Sequence, residues 1–150
     1  MSSLACVLVV EDDENDAFFI QHAFKEAQLR NPIRTVKDGQ EAIDYLSGVG
    51  AFGDRARNPR PCLVILDLKM PGKTGWDVLQ WLRNQSDVPH LPVIVFSSSA
   101  QRDDIDRAYE MGANSFIVKP SGTQERTNLA KVIKTLWLEF NEPPSGCLNQ

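Results

Sequence analysis

Four groups of polar residues stand at the ends of apolar runs, and their types suit the transfer of a phosphoryl group to a carboxylate. Glu11-Asp12-Asp13 ends the run 5–10, Asp67 ends 62–66, Ser97-Ser98-Ser99 ends 93–96, and Lys119-Pro120 ends 115–118. An aspartate can act as a nucleophile and carry the phosphoryl group as an acyl phosphate. Bringing an anionic donor to a carboxylate calls for a hard divalent cation, and Mg²⁺ favours one or two carboxylates with waters and substrate oxygens. Glu11 and Asp12 can supply carboxylates for it. The Ser97 hydroxyl and the Lys119 ammonium can hold the remaining phosphoryl oxygens and balance their charge.

Taken singly, each group has a plain structural explanation. An Asp after a strand commonly turns or caps the chain. Acidic residues ahead of a helix complement its dipole. Three serines can make a turn, and a lysine can simply be solvated. The weight of the pattern comes from the elements that would bring the four groups together. The apolar runs 5–10, 33–36, 62–66, 93–96 and 115–118 are rich in Val, Ile and Leu and mostly lack alternation. Strands of a parallel sheet covered on both faces read that way.

Between and after these runs the period is helical. Ala17, Ile20, Phe24 and Ala27 share one face of the first such segment, and Ala42, Ile43 and Leu46 mark the second. Asp38 with Glu41 three residues on reads as a capping box for that second helix. Gly75, Leu79 and Leu82 mark the third; Ile105, Ala108 and Tyr109 mark a short, mostly polar fourth. Leu129, Val132, Ile133, Leu136, Trp137 and Phe140 mark the fifth, with Ser121 and Gln124 as its expected cap. Five βα units predict an α/β doubly wound parallel sheet. In such sheets ligands bind outside the carboxyl ends of the strands, where all four polar groups would stand.

The chain of 150 residues fits one domain, expected over 1–142, with a flexible tail over 143–150 behind Pro143-Pro144. Its net charge of −4 argues against nonspecific nucleic-acid binding, which relies on clustered Lys and Arg. No apolar run approaches the roughly 20 residues that span a bilayer, and a cytoplasmic location is expected. Cys6, Cys62 and Cys147 lack metal-like spacing and read as reduced thiols. The irregular stretch 47–61 is long for a compact domain and reads either as a solvated insertion or as a functional loop.

The segments LVVEDDENDA, LVILDLKMPGKTGWDVL, PVIVFSSS and GANSFIVKP resemble the four signature segments of bacterial response-regulator receiver domains, over roughly residues 4 to 140. The resemblance implies a flavodoxin-like (βα)5 fold with strand order 2-1-3-4-5. It makes Asp67 the phosphoacceptor and Asp12 a direct ligand of Mg²⁺ (or Mn²⁺). Glu11 would act through water and the backbone carbonyl of Lys69 would complete the protein's share. Asp13 falls one place beyond the acidic pair. Ser97 matches the switch hydroxyl, Phe116 the aromatic rotamer switch and Lys119 the phosphate-binding lysine, with a cis Lys119–Pro120 bond expected.

Within that family the chain is similar to the receiver-only regulators of bacterial phytochrome histidine kinases. The similarity rests on Asp44-Tyr45-Leu46-Ser47-Gly48, Gly75-Trp76-Asp77, Phe96-Ser97-Ser98-Ser99 and Trp137-Leu138-Glu139-Phe140-Asn141, together with the arginine-bearing loop. It implies a phytochrome-type sensor kinase as partner and a homodimer through the fourth helix, fifth strand and fifth helix. On phosphorylation Ser97 would swing toward the new group, Phe116 would fill the vacated space, and that face would be remodelled. Trp137 is expected in the core of the last helix. His22 and His90 read as surface residues, so the donating histidine belongs to another protein.

No output module is read after residue 140. The signal is therefore expected to leave by contact, with a histidine phosphotransfer protein or a direct target, and with neither nucleic acid nor membrane. Two rivals fit less well. A receiver that never takes phosphate would lack the acidic pair, the Asp or the Lys. A haloacid-dehalogenase-type hydrolase wants a second Asp where Lys69 stands.

Overall fold

Three of the strands are buried at every residue, which is why their runs carry no alternation. They are β1 (Cys6–Val10), β3 (Pro61–Leu66) and β4 (Val93–Ser97). With β2 (Ile33–Val36) and β5 (Ser115–Val118) they form one parallel sheet, in the order β2-β1-β3-β4-β5. The edge strands are only partly covered: β2 buries Val36 alone, and β5 leaves Val118 exposed. This is the flavodoxin-like topology expected from the resemblance. The computed structural model describes residues 5–86 and 90–144. Cys147 and most of the expected 143–150 tail lie outside that range.

The helices follow the strands in turn: α1 (Glu14–Glu26), α2 (Gly39–Ser47), α3 (Gly75–Arg83), α4 (Arg102–Glu110) and α5 (Thr123–Ile133), which continues as a π-helical segment, Lys134–Phe140. No helix among the described residues is long and apolar enough to cross a membrane. Helix α1 packs against α5, and α2 against α3. Helix α4 rests chiefly on β5 and fully buries only Ala108, as its polar composition requires. A helix with so little buried surface belongs to the low-stability end of a fold. One contact ties it to α3: the Arg107 guanidinium lies 4.2 Å above the centre of the Trp76 ring.

The helix starts are set by local chemistry. Asp13 caps α1 by accepting a bond from the Asp16 N–H at 3.0 Å. Asp38 caps α2 through the Glu41 N–H at 2.8 Å, but the return half of the expected box is missing, and Glu41 Oε2 is buried without a hydrogen bond among the described residues. A full capping box stands instead at α3. Thr74 N–H donates to Asp77 Oδ2 at 2.8 Å, and Asp77 N–H donates to Thr74 Oγ1 at 3.4 Å.

Three expectations are corrected. Ser121 and Gln124 do not cap α5: the N-cap is Gly122, without a side-chain bond, and Gln124 donates to Asn128 instead. Ser121 precedes the cap position by one residue. The apolar face read along the last helix is really two stripes of period four. Leu129, Ile133 and Trp137 pack on the core, whereas Val132, Leu136 and Phe140 are 60%, 52% and 75% exposed. The Lys119–Pro120 bond is trans, there being no cis bond among the described residues. Trans remains the default by roughly 0.5–1 kcal/mol even before proline, and nothing local to Lys119 had pointed the other way.

The stretch after α2 is a structured insertion. Arg55 donates to the carbonyls of Tyr45 at 2.7 Å and Leu46 at 2.9 Å in the last turn of α2, and to that of Asn58 at 3.1 Å within the insertion. The buried Tyr45 donates its hydroxyl to the Pro59 carbonyl at 2.8 Å, and its ring meets Phe52. The insertion leads into β3 and so lies at the amino edge of the sheet. Arg55→Ala is expected to cost about 1–3 kcal/mol by removing the donor that the Leu46 and Asn58 carbonyls share. Thermal unfolding would read that loss, with faster proteolytic nicking within residues 48–60.

Candidate functional site

In a parallel sheet every strand delivers its carboxyl end to the same edge. Because β1, β3, β4 and β5 are consecutive across the sheet, Glu11, Asp67, Ser97 and Lys119 arrive beside one another. They line a cleft of about 500 Å³ together with Asp12, Asp16, Lys69 and Ser99. Glu11, Asp67 and Ser97 are buried at its floor, while Asp12 is exposed at its mouth. The Asp67 N–H is fixed to the Val10 carbonyl at 3.0 Å, and the Lys119 N–H to the Ser97 carbonyl at 2.8 Å.

Charge on the cleft floor is dominated by acids around the Lys119 ammonium. Lys119 Nζ lies 2.7 Å from Glu11 Oε2, 2.9 Å from Asp16 Oδ2 and 3.5 Å from Asp67 Oδ2. Burial pulls the lysine's pKa down, but the bonds from Glu11 and Asp16 and the charge of Asp67 outweigh it and carry it above the ordinary range. Burial pushes the Glu11 carboxyl up, to about 7; its bond to Lys119 draws it down and the Asp67 charge adds to the rise. Lys119's rise and Glu11's rise point opposite ways for their shared pair. One ammonium cannot satisfy three carboxylates, and the deficit falls on the most buried of them.

Glu11, Asp12 and Asp67 each present an oxygen within 4.8 Å of the others. A set of hard oxygen donors with unbalanced negative charge fits a divalent cation such as Mg²⁺ or Mn²⁺. The raised Glu11 pKa has a consequence for the metal-free protein. Between about 4.5, the group's ordinary value, and about 7, the folded state holds a proton that the unfolded state has released. Stability from this group is therefore full at low pH and falls as pH rises through about 7. Chemical unfolding in chelator across that window should show the fall, and Glu11→Gln should flatten it.

The rim carries a second polar chain. Ser97 Oγ accepts from the Ser99 N–H at 3.1 Å, Ser99 Oγ donates to Asp104 Oδ2 at 2.7 Å, and Lys69 Nζ lies 4.0 Å from the same oxygen. Phe116 stands outside the cleft on β5, half-buried opposite Val95, with its N–H donated to the Tyr109 hydroxyl at 3.1 Å. Asp13 caps α1 and lies at the cleft's edge. His22 and His90 are exposed. Sequence reasoning overlooked Asp16. Its only signal was its place in the first turn of α1, just after the acidic run.

Known proteins resemble the chain in sequence and in fold. It is 29% identical to the response regulator Rcp1 of Synechocystis over 93% of both chains. The Mn²⁺-bound form of Rcp1 superposes with a TM-score of 0.82 over 94% of this chain and 99% of that one, at 28% identity. A response regulator of red light signaling in R. palustris superposes with a TM-score of 0.90 at 34% identity, covering 95% of this chain and 99% of that one. The phosphorylated cyanobacterial phytochrome response regulator RcpA gives 0.86 at 31% identity, covering 95% and 100%. The family model for the response regulator receiver domain matches residues 7–131. With its sheet order and its acidic cleft, the chain belongs to the response regulator receiver domains and is related to the phytochrome response regulators among them.

Proposed function

We propose that Asp67 accepts a phosphoryl group from a phosphohistidine of a phytochrome-type sensor kinase, in a reaction that requires Mg²⁺ or Mn²⁺. The observation that carries this reading is the Asp67 carboxylate at the cleft floor, clustered with the carboxylates of Glu11 and Asp12 and 3.5 Å from the Lys119 ammonium. A carboxylate oxygen of Asp67 forms the new O–P bond as the P–N bond of the donor breaks. The departing imidazole keeps the bonding pair and takes a proton from solvent. A divalent cation held by Glu11, Asp12, Asp67 and the Lys69 carbonyl would offset the charge of the phosphoryl oxygens. Lys119 and the Ser97 hydroxyl bind those oxygens.

The added charge, roughly −1.5 to −2, draws Ser97 toward Asp67, and Phe116 responds on β5. The signal then leaves by protein contact from a cytoplasmic domain spanning 1–142, either to a direct target or to a histidine phosphotransfer protein. Tyr109, Val118, Val132, Leu136 and Phe140 are exposed on α4, β5, α5 and its continuation. Apolar side chains exposed in such number favour self-association, and the reading includes a homodimer through this face. Sedimentation equilibrium tests it: Phe140→Asp should shift the population to monomer, and a wild type that is already monomeric would remove the dimer from the reading.

The central test is intact mass after incubation with acetyl phosphate. One phosphoryl group should appear with Mg²⁺ and none with excess chelator. No gain with Mg²⁺, repeated with phosphoramidate as donor, would leave a binding module that never takes phosphate. Decay of a phosphorylated phytochrome-type kinase upon mixing tests the donor separately.

A further inference from the structure

Lys119 has three ammonium hydrogens and three carboxylates in reach, and it does not treat them alike. Its bonds to Glu11 and Asp16, at 2.7 and 2.9 Å, have the length of strong charge-assisted pairs, whereas Asp67 lies at 3.5 Å, the outer limit of a hydrogen bond. Glu11 and Asp67 also belong to the oxygen set that fits a cation; Asp16 does not. Asp16 is firmly placed, because its N–H is bonded to the Asp13 carboxylate in the first turn of α1. It is 37% exposed and remains in competition for Lys119 when Glu11 turns to a cation.

We propose that Asp16 is a positioning residue that holds Lys119 back from the phosphoryl group, and so sets the affinity of the site for that group below what the cleft could reach. The proposal rests on the reading of Asp67 as the acceptor. A phosphoryl group on Asp67 must win Lys119 from a carboxylate already bonded to it. Removing the Asp16 charge leaves the carboxylates of Glu11, Asp12 and Asp67 in the cleft and takes away one of the two short bonds that hold Lys119 from Asp67.

The test is calorimetric titration of the full chain with beryllofluoride, a phosphoryl mimic, in excess Mg²⁺. Asp16→Asn should bind about fivefold more tightly than wild type, the factor that corresponds to roughly 1 kcal/mol, and Asp16→Glu, which keeps the charge, should bind more weakly than Asp16→Asn. In parallel, the Lys119 ammonium ¹⁵N resonance, identified by its loss in Lys119→Arg, is followed by NMR. In free Asp16→Asn it should already lie toward its position in beryllofluoride-bound wild type. An affinity equal to or weaker than wild type overturns the proposal. Tighter binding with the resonance unmoved also overturns it, since the gain would then be a field effect that bypasses Lys119. A wild type that fails to bind at all brings down the acceptor reading itself, a result distinct from a wild type that binds and a variant that matches it.

Discussion

Asp67→Asn should take up no phosphoryl group from acetyl phosphate under conditions in which the wild type gains one. The amide is nearly isosteric, so the Val10–Asp67 backbone bond and the Lys119 pairs with Glu11 and Asp16 stay in place. What disappears is the nucleophile, and the rate should fall by at least about a thousandfold, to the background of the assay. The variant should also bind Mg²⁺ more weakly, having lost one of three clustered carboxylates. Removing the Asp67 charge removes one of the two causes that raise Glu11, leaving burial alone, so the pH window of Glu11 should move toward the ordinary carboxylate range. A phosphoryl group retained in Asp67→Asn would place the acceptor elsewhere.

Gly75→Ala should be the most damaging single methyl in the protein. A Cβ at this position would lie 2.2 Å from the Asp67 carbonyl oxygen and 2.8 Å from Leu68 Cα. Both are backbone atoms, and the Gly75 N–H is itself bonded to the Leu68 carbonyl at 3.0 Å. No side chain can rotate to make room, so either α3 retreats or the loop carrying Asp67 is displaced. The expected loss is about 3 kcal/mol, or roughly 6–12 °C in Tm for a chain of this size. The folded fraction should accept phosphate more slowly, because the strained atoms belong to Asp67 itself. An unchanged Tm would mean that α3 shifts without resistance.

The contrast between those two positions indicates what a sequence can disclose. β1, β3 and β4 were legible because burial on both faces leaves an unbroken apolar run, and the polar residue that ends each run names the sheet edge. That edge gathers Glu11, Asp67 and Ser97, and the shorter apolar run of β5 adds Lys119. Asp16 was not legible, because a polar residue in the first turn of α1 looks the same whether it meets water or Lys119. Arg55 was hidden for a related reason: its partners Tyr45 and Leu46 are set by how the insertion folds back on α2. The two stripes of the last helix merged into one because Val132, Leu136 and Phe140 share a spacing of four with Leu129, Ile133 and Trp137. The Thr74–Asp77 box was legible in principle from its three-residue spacing, but the third helix was read from its apolar residues alone.

The stacking of Arg107 on Trp76 furnishes the molecule with its own optical gauge. Indole emission depends on the charge and polarity beside the ring, and here the guanidinium 4.2 Å away is carried by α4 while the ring is carried by α3. Any displacement of α4 that lifts the cation from the ring alters the light that Trp76 emits. Trp81 and Trp137 provide a background that Trp76→Phe would isolate. The repositioning of the least anchored helix can thus be timed in a stopped-flow instrument, with no dye attached.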